Sequence, residues 1–200
     1  MLALYRMINL GHTPVALITT VNKEQKRSWF HGIQTELLHV VSDRLDIPMV
    51  LCECIADEYT QAYEEGLKKA RQIGADACVF GDIDIDGHKR WNEECCARVG
   101  LKCVLPLWDQ DREALVREAL GAGFKAIIKI VKNDVLDESF LGLDLSIPIL
   151  ERIKAAGADP CGENGEYHTF VYDGPFFLNP VPFAMGEVID LGTHKAIHIL

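Results

Sequence analysis

This 200-residue sequence predicts a mixed α/β fold: a parallel sheet with helices on both faces, followed by a smaller second α/β domain. Three observations lead there. Short apolar runs alternate with longer segments whose apolar residues recur at helical spacing. Glycine closes most of those longer segments, where a left-handed cap costs it least. The strand–helix–strand rhythm repeats, and that rhythm brings parallel strands together under packed helices.

The elements follow in order. Met1–Leu10 is helical and stops at Gly11. Pro14–Thr20 is an apolar run ending in two threonines and is expected as a buried strand. Ile33, Leu37, Leu38, Val41 and Leu45 fall on one helical face. Pro48–Cys54 is strand-like, and Glu58–Ile73 is a helix closed by Gly74. Ala77–Phe80 is a strand that delivers Gly81 and Asp82 at its end. Arg90–Val99 is helical up to Gly100, and Leu101–Leu105 is a brief strand. A border near Pro106 gives expected domains 1–105 and 106–200. In the second, Asp111–Leu120 is a helix closed by Gly121, and Phe124–Val131 is a β-branched strand. Asp134–Asp144 is irregular, and Ile147–Ala156 is a helix stopping at Gly157. Thr169–Tyr172 is a strand, and Val188–Leu200 holds one or two more around Gly192.

Composition excludes several function classes. A hydrophobic content of 48% and a charged content of 25% fit a globular chain with a sizeable core. The net charge of −10 argues against broad nucleic-acid or anionic-membrane binding, which needs clustered Lys and Arg. No apolar run has the length of a membrane span, and the first residues lack the zones of a signal peptide. Seven cysteines, an odd number without disulfide-like spacing, point to free thiols in a reducing cytoplasm.

The most informative stretch is Pro160–Pro175. It sets Cys161, Glu163 and Glu166 among Gly162, Gly165 and, further on, Gly174, a pattern that no core element shows. Groups that accept protons, bind cations or attack an electrophile stand between residues that let a ligand approach. Nearby carboxylates would raise the Cys161 pKa, so packing or substrate contact is expected of it rather than nucleophilic attack. Ligands of open parallel sheets bind beyond the carboxyl ends of the strands, which singles out Thr19, Thr20, Gly81 and Asp82. Asp82–Glu93 satisfies the calcium-loop pattern D-x-D-x-D-G-x5-E, but a strand rather than a helix runs into it, and Lys89 stands where an apolar residue is usual. Without a C-x-x-C pair, structural zinc is not expected. His194 and His198 share a face if their segment is one strand.

Taken together, these motifs resemble the diphthine–ammonia ligase family of the PP-loop ATP pyrophosphatase (N-type) superfamily. The resemblance runs along nearly the whole chain: Leu2-Ala3-Leu4-Tyr5, Gly81-Asp82-Ile83, Glu93 and Cys96 before Gly100-Leu101, Pro106-Leu107-Trp108, Leu141-Gly142, and Cys161 to Tyr167 continuing through Thr169-Phe170-Val171 to Asp173-Gly174-Pro175. It implies a Rossmann-like ATP-binding domain of the adenine nucleotide alpha hydrolase type and a smaller C-terminal domain. It implies an enzyme that uses ATP and Mg²⁺ to adenylate a carboxylate and then transfers ammonia to it. The family's acceptor is diphthine, a modified histidine on elongation factor 2. On this resemblance Glu163 and Glu166 are the catalytic residues. Cys161, Gly162, Asn164, Gly165, Tyr167, His168 and Thr169 surround the substrate, and Thr19, Thr20, Gly81 and Asp82 flank the nucleotide. The motif carries Asn164 and His168 where the family often has Gly and Glu, and Lys89 and Trp91 stand where arginines are common. The superfamily's phosphate loop, Ser-Gly-Gly-Lys-Asp-Ser, belongs immediately before Leu2-Ala3-Leu4, where Met1 now stands. The first domain is therefore expected to be N-terminally incomplete, with unpaired strand edges beside the gap. A homodimer that completes the sheet is a further expectation. The alternatives are the same adenylating chemistry on another small carboxylate or macromolecule, or a nucleotide-binding protein without catalysis.

Overall fold

A computed structural model describes residues 1–200. The chain forms two compact units, Met1–Gln110 and Asp111–Leu200. Pro106–Gln110 is fastened to the first unit: Arg6 Nη1 donates to the Pro106 carbonyl at 2.8 Å, and Asp109 N donates to the Ile83 carbonyl at 2.7 Å. The Lys89 ammonium also lies 4.7 Å from the centre of the Trp108 ring.

The first unit runs α1 (Leu2–Asn9), β1 (Leu17–Asn22), β2 (Arg27–Ser28), α2 (Thr35–Leu45), β3 (Met49–Cys54), α3 (Tyr59–Gln72), β4 (Ala77–Val79), α4 (Asp86–Val99) and β5 (Lys102–Val104). β1 and β3 pair in parallel from Leu17↔Met49 to Asn22↔Cys54. On its other side β1 pairs only through Val21 and Asn22, with the short antiparallel β2. β4 and β5 form a separate parallel ladder with Cys78 opposite Cys103. The expected parallel strands are thus present, but as two ladders rather than one. Helix α3 packs on β3 and β1 and against α4, which lies on β5. The core between them holds Leu67, Cys52, Tyr63, Cys95, Cys96, Val99 and Leu101. Gly66 lets α3 approach the strands this closely, because a Cβ there would collide with Cys52 Sγ.

Asp111 opens the second unit as the N-cap of α5 (Arg112–Gly121), its carboxylate accepting from Ala114 N at 2.7 Å. Then follow β6 (Lys125–Lys132), α6 (Ile147–Ala155), β7 (Tyr167–Asp173), β8 (Met185–Asp190) and β9 (His194–Ile199). Gly121 does not close α5 as the sequence suggests; it is the last helical residue, and Gly123 takes the left-handed conformation with φ +93°. The sheet order is β7-β6-β9-β8, and every pairing is antiparallel. β6 is buried along nearly its whole length, as a central strand should be. Between Ile128 and Ile130 the register with β7 slips, leaving Lys129 as the extra residue of a bulge. Ile128, Val131, Leu136, Phe140, Ile153 and Tyr167 form the core of this unit. No helix of either unit is long and apolar enough to cross a membrane.

Candidate functional site

The acidic turn between α6 and β7 is organised by a residue that motif reading passed over. Asp159 Oδ1 accepts from the backbone N–H groups of Cys161 at 2.8 Å and Glu163 at 3.1 Å. Its Oδ2 accepts from Arg112 Nη1 at 2.7 Å, in an ion pair whose aspartate side chain is only 10% exposed. An aspartate that accepts from backbone N–H groups two and four residues on is an Asx turn, so Asp159-Pro160-Cys161 carried a readable signal. Gly162 follows with φ +68°, where an added Cβ would lie 2.6 Å from the Tyr167 carbonyl oxygen. No other residue fits there.

Glu166 closes the turn on itself. Its Oε1 accepts from Asp159 N at 3.3 Å and from Asn164 Nδ2 at 3.2 Å, and its Oε2 accepts from Asn164 N at 3.1 Å. A carboxylate has about four acceptor positions, so three are used and one on Oε2 remains. The Tyr167 hydroxyl donates to the Pro160 carbonyl, and burial pushes that phenol's pKa up. Cys161 donates its thiol proton to the Arg112 carbonyl at 3.0 Å. Burial first, then the charges of Asp159 and Glu163, push this thiol up to about 12. It is a protonated packing group at neutral pH, not a nucleophile.

Beyond the turn, β7 carries His168 opposite Ile130 of β6, which in turn lies opposite Ala196 of β9. Burial lowers the His168 pKa, and His194 and Lys129 lower it further. His194 Nε2 lies 3.3 Å from the Gly165 carbonyl oxygen, so β9 is tied to the acidic turn. Thr169 lies opposite Ile128. Cys161 to Thr169 are thus brought together in one turn and strand of the second unit.

The other predicted residues lie in the first unit. β1 runs on to Asn22, so Thr19 and Thr20 sit inside the strand rather than at its tip. The Thr19 hydroxyl donates to Met49 Sδ at 3.6 Å, and the buried Thr20 donates to the Tyr59 hydroxyl at 3.2 Å. Gly81 and Asp82 do follow the carboxyl end of β4. Asp82 Oδ1 lies 3.1 Å from His88 Nδ1, and its Oδ2 accepts from the buried Asn92 Nδ2 at 2.9 Å. Because α4 starts at Asp86, the last part of the calcium-loop pattern through Glu93 is helical and cannot wrap an ion. No cluster of three or more His, Cys, Asp or Glu side chains is placed to hold a metal.

Residues 1–103 match the diphthamide synthase N-terminal domain and residues 111–189 the diphthamide synthase C-terminal domain. The chain belongs to the diphthamide synthase family. It is 31% identical over 151 residues to the human diphthine–ammonia ligase, a match covering 72% of this chain and 56% of the human protein. The bovine diphthine–ammonia ligase is 31% identical over 158 residues, covering 76% of this chain and 57% of that protein. The fission-yeast diphthine–ammonia ligase is 35% identical over 110 residues, covering 54% and 18%. The chain therefore spans a little over half the length of its mammalian relatives. Within the family frame, Thr19 to Asp82 fall in the N-terminal match and the acidic turn falls in the C-terminal one.

Proposed function

We propose that this chain catalyses ATP-dependent amidation of a carboxylate. A carboxylate oxygen of the acceptor attacks the α-phosphorus of ATP and pyrophosphate leaves. The lone pair of ammonia then attacks the acyl carbon, AMP departs with the bonding electrons, the nitrogen sheds one proton to water, and the amide remains. Adenylation is needed because a carboxylate is a poor electrophile. The acceptor in this reading is diphthine, the compound that the names of its relatives carry; we place it on elongation factor 2 and the reaction in the cytoplasm.

The observation that carries this reading is the state of Glu166. Three N–H donors of its own turn fix its carboxylate and leave one acceptor position on Oε2. An ammonium ion must lose a proton before it attacks, and a fixed carboxylate with a remaining lone pair takes that proton. Glu163, Cys161, Gly162, Asn164, Gly165, Tyr167, His168 and Thr169 surround the acceptor in this reading. Thr19, Thr20, Gly81 and Asp82 flank ATP. Mg²⁺ would arrive on the ATP phosphates and offset their charge. Asp82 fits it as a ligand, since each of its oxygens keeps a lone pair after His88 and Asn92, and Mg²⁺ needs only one or two carboxylates beside phosphates.

The test follows pyrophosphate and amide separately, with ATP, ammonium and diphthine-bearing elongation factor 2. Glu166→Gln is expected to release pyrophosphate while amide formation falls by about 10²–10⁴. Amide formation at the unaltered rate would remove Glu166 from the mechanism.

A further inference from the structure

All seven cysteines are free thiols. Four of them meet groups of another kind. Cys54 Sγ accepts from Trp29 Nε1 at 3.2 Å, and Cys95 Sγ from Arg98 Nη2 at 3.4 Å. Cys161 donates to the Arg112 carbonyl, and Cys52 lies against Gly66 of α3. The remaining three meet one another. Cys78 of β4 stands directly opposite Cys103 of β5. Cys96 of α4 hydrogen-bonds with both, so both sulfurs face that helix.

The strand pair has the spacing of a disulfide. Neighbouring strands lie about 4.8 Å apart, and a disulfide spans Cα separations of about 4.4–6.8 Å. Rotation of two side chains therefore suffices to bridge Cys78 and Cys103. Both are half-buried, whereas Cys95 and Cys96 are fully buried. The other edge of β4 takes no strand. The two thiols also differ. On Cys78 Sγ converge Cys96 and the Tyr63 hydroxyl, the latter 3.8 Å away and held by stacking on Trp91 with centroids 5.0 Å apart. The hydrogen bond from Cys96 lowers the Cys78 pKa, burial opposes it, and the one from Tyr63 adds to the lowering. Burial pushes the Cys103 thiol up to about 11. Cys78 is thus the first of the pair to ionise, and the thiolate is the reactive form. Packing alone would leave every thiol of the group protonated, as burial does at Cys103.

We propose that Cys78 and Cys103 form a site of reversible oxidation whose oxidant is a low-molecular-weight disulfide, with Cys78 as the attacking thiolate and Cys103 as the resolving thiol. Cys78 Sγ attacks one sulfur of the added disulfide, whose S–S bond breaks, and a thiolate leaves. Cys103 then loses its proton to solvent and attacks Cys78 Sγ, expelling the second thiolate. Two protein thiols are oxidised, the added disulfide is reduced, and two protons pass to the released thiolates. A bond that forms and breaks in this way suits a reducing compartment, where lasting disulfides are rare. The site is independent of the amidation chemistry.

The test incubates the native chain with glutathione disulfide at neutral pH and reads intact mass, free thiols and linked peptides. Two of the seven thiols are expected to disappear, with a mass lower by two hydrogens, a link between the Cys78 and Cys103 peptides, and full recovery in dithiothreitol. Cys103→Ser should stop at the mixed disulfide and carry one glutathionyl group on Cys78. Cys78→Ser should abolish the link and slow modification of Cys103 by about tenfold or more. Circular dichroism checks the fold of each variant, and the peptide map of the unaltered chain needs no variant. A link that joins Cys96 to either partner overturns the proposal, as does one that forms only in urea. Seven thiols surviving the incubation, or glutathionyl groups scattered over other cysteines without the link, overturn it too.

Discussion

His168 shows how a single side chain can report on its surroundings. Its pKa is lowered from 6.5 by burial, and then by His194 and Lys129, so the native fold disfavours its protonation. Below about pH 6.5 the unfolded chain takes up a proton there that the native state refuses. Stability contributed at this position therefore falls as the pH drops from 6.5 towards the native pKa, and rises with pH across the same window. Urea unfolding at about pH 7.5 and pH 5.5 is expected to show a smaller acid-induced loss for His168→Gln than for the unaltered chain. An identical loss would mean that folding leaves the imidazole's pKa unchanged. The acidic turn makes the same point for Glu163 and Glu166. The sequence displays both carboxylates, but only the structure shows Glu166 accepting from Asp159 N and Asn164, contacts that exist once Gly162 and Gly165 have reversed the chain.

Among the elements, close packing of α3 on β3 leads to a counter-intuitive expectation. Alanine ordinarily stabilises a helix by about 1 kcal/mol over glycine. At Gly66, however, the new methyl would meet Cys52 Sγ, a side chain that is itself only 4% exposed. Gly66→Ala is expected to lower stability by about 1–2 kcal/mol, because overpacking outweighs propensity. Adding Cys52→Ala should restore much of that loss, and additive losses in a double-mutant cycle would contradict the collision. Most elements were legible because their signals are local. Gly11, Gly74, Gly100 and Gly157 each take positive φ at a helix end. The early start of α4 was obscured by Asp82–Asp86, whose spacing mimics a loop, and β2 is too short to carry a pattern. Strand direction in the second unit was not legible, because the apolar run of β6 fits a central strand in either kind of sheet.

For the molecule as a whole, the ladders set a gradient of protection. β6 is paired on both sides, by β7 and β9, and is buried. β4 pairs only with β5, and Leu17–Thr19 of β1 pair only with β3. Amide hydrogen exchange is expected to be slowest in β6 and markedly faster in β4. Equal protection in the two strands would indicate that β4 is covered by a further partner. The fold and the family were readable from the order of motifs along the chain, whereas the solvent-open cavity lined by Asn22, Trp29 and Asp57 was not, since these residues meet only after β1 and β3 pair. A thiol lies 3.2 Å from the Trp29 indole nitrogen, and sulfur at that range quenches indole emission. Trp29 is therefore expected to emit weakly in the folded protein and to brighten when it parts from Cys54, and Cys54→Ala should raise the native emission if this contact is a fluorescent gauge of the sheet edge.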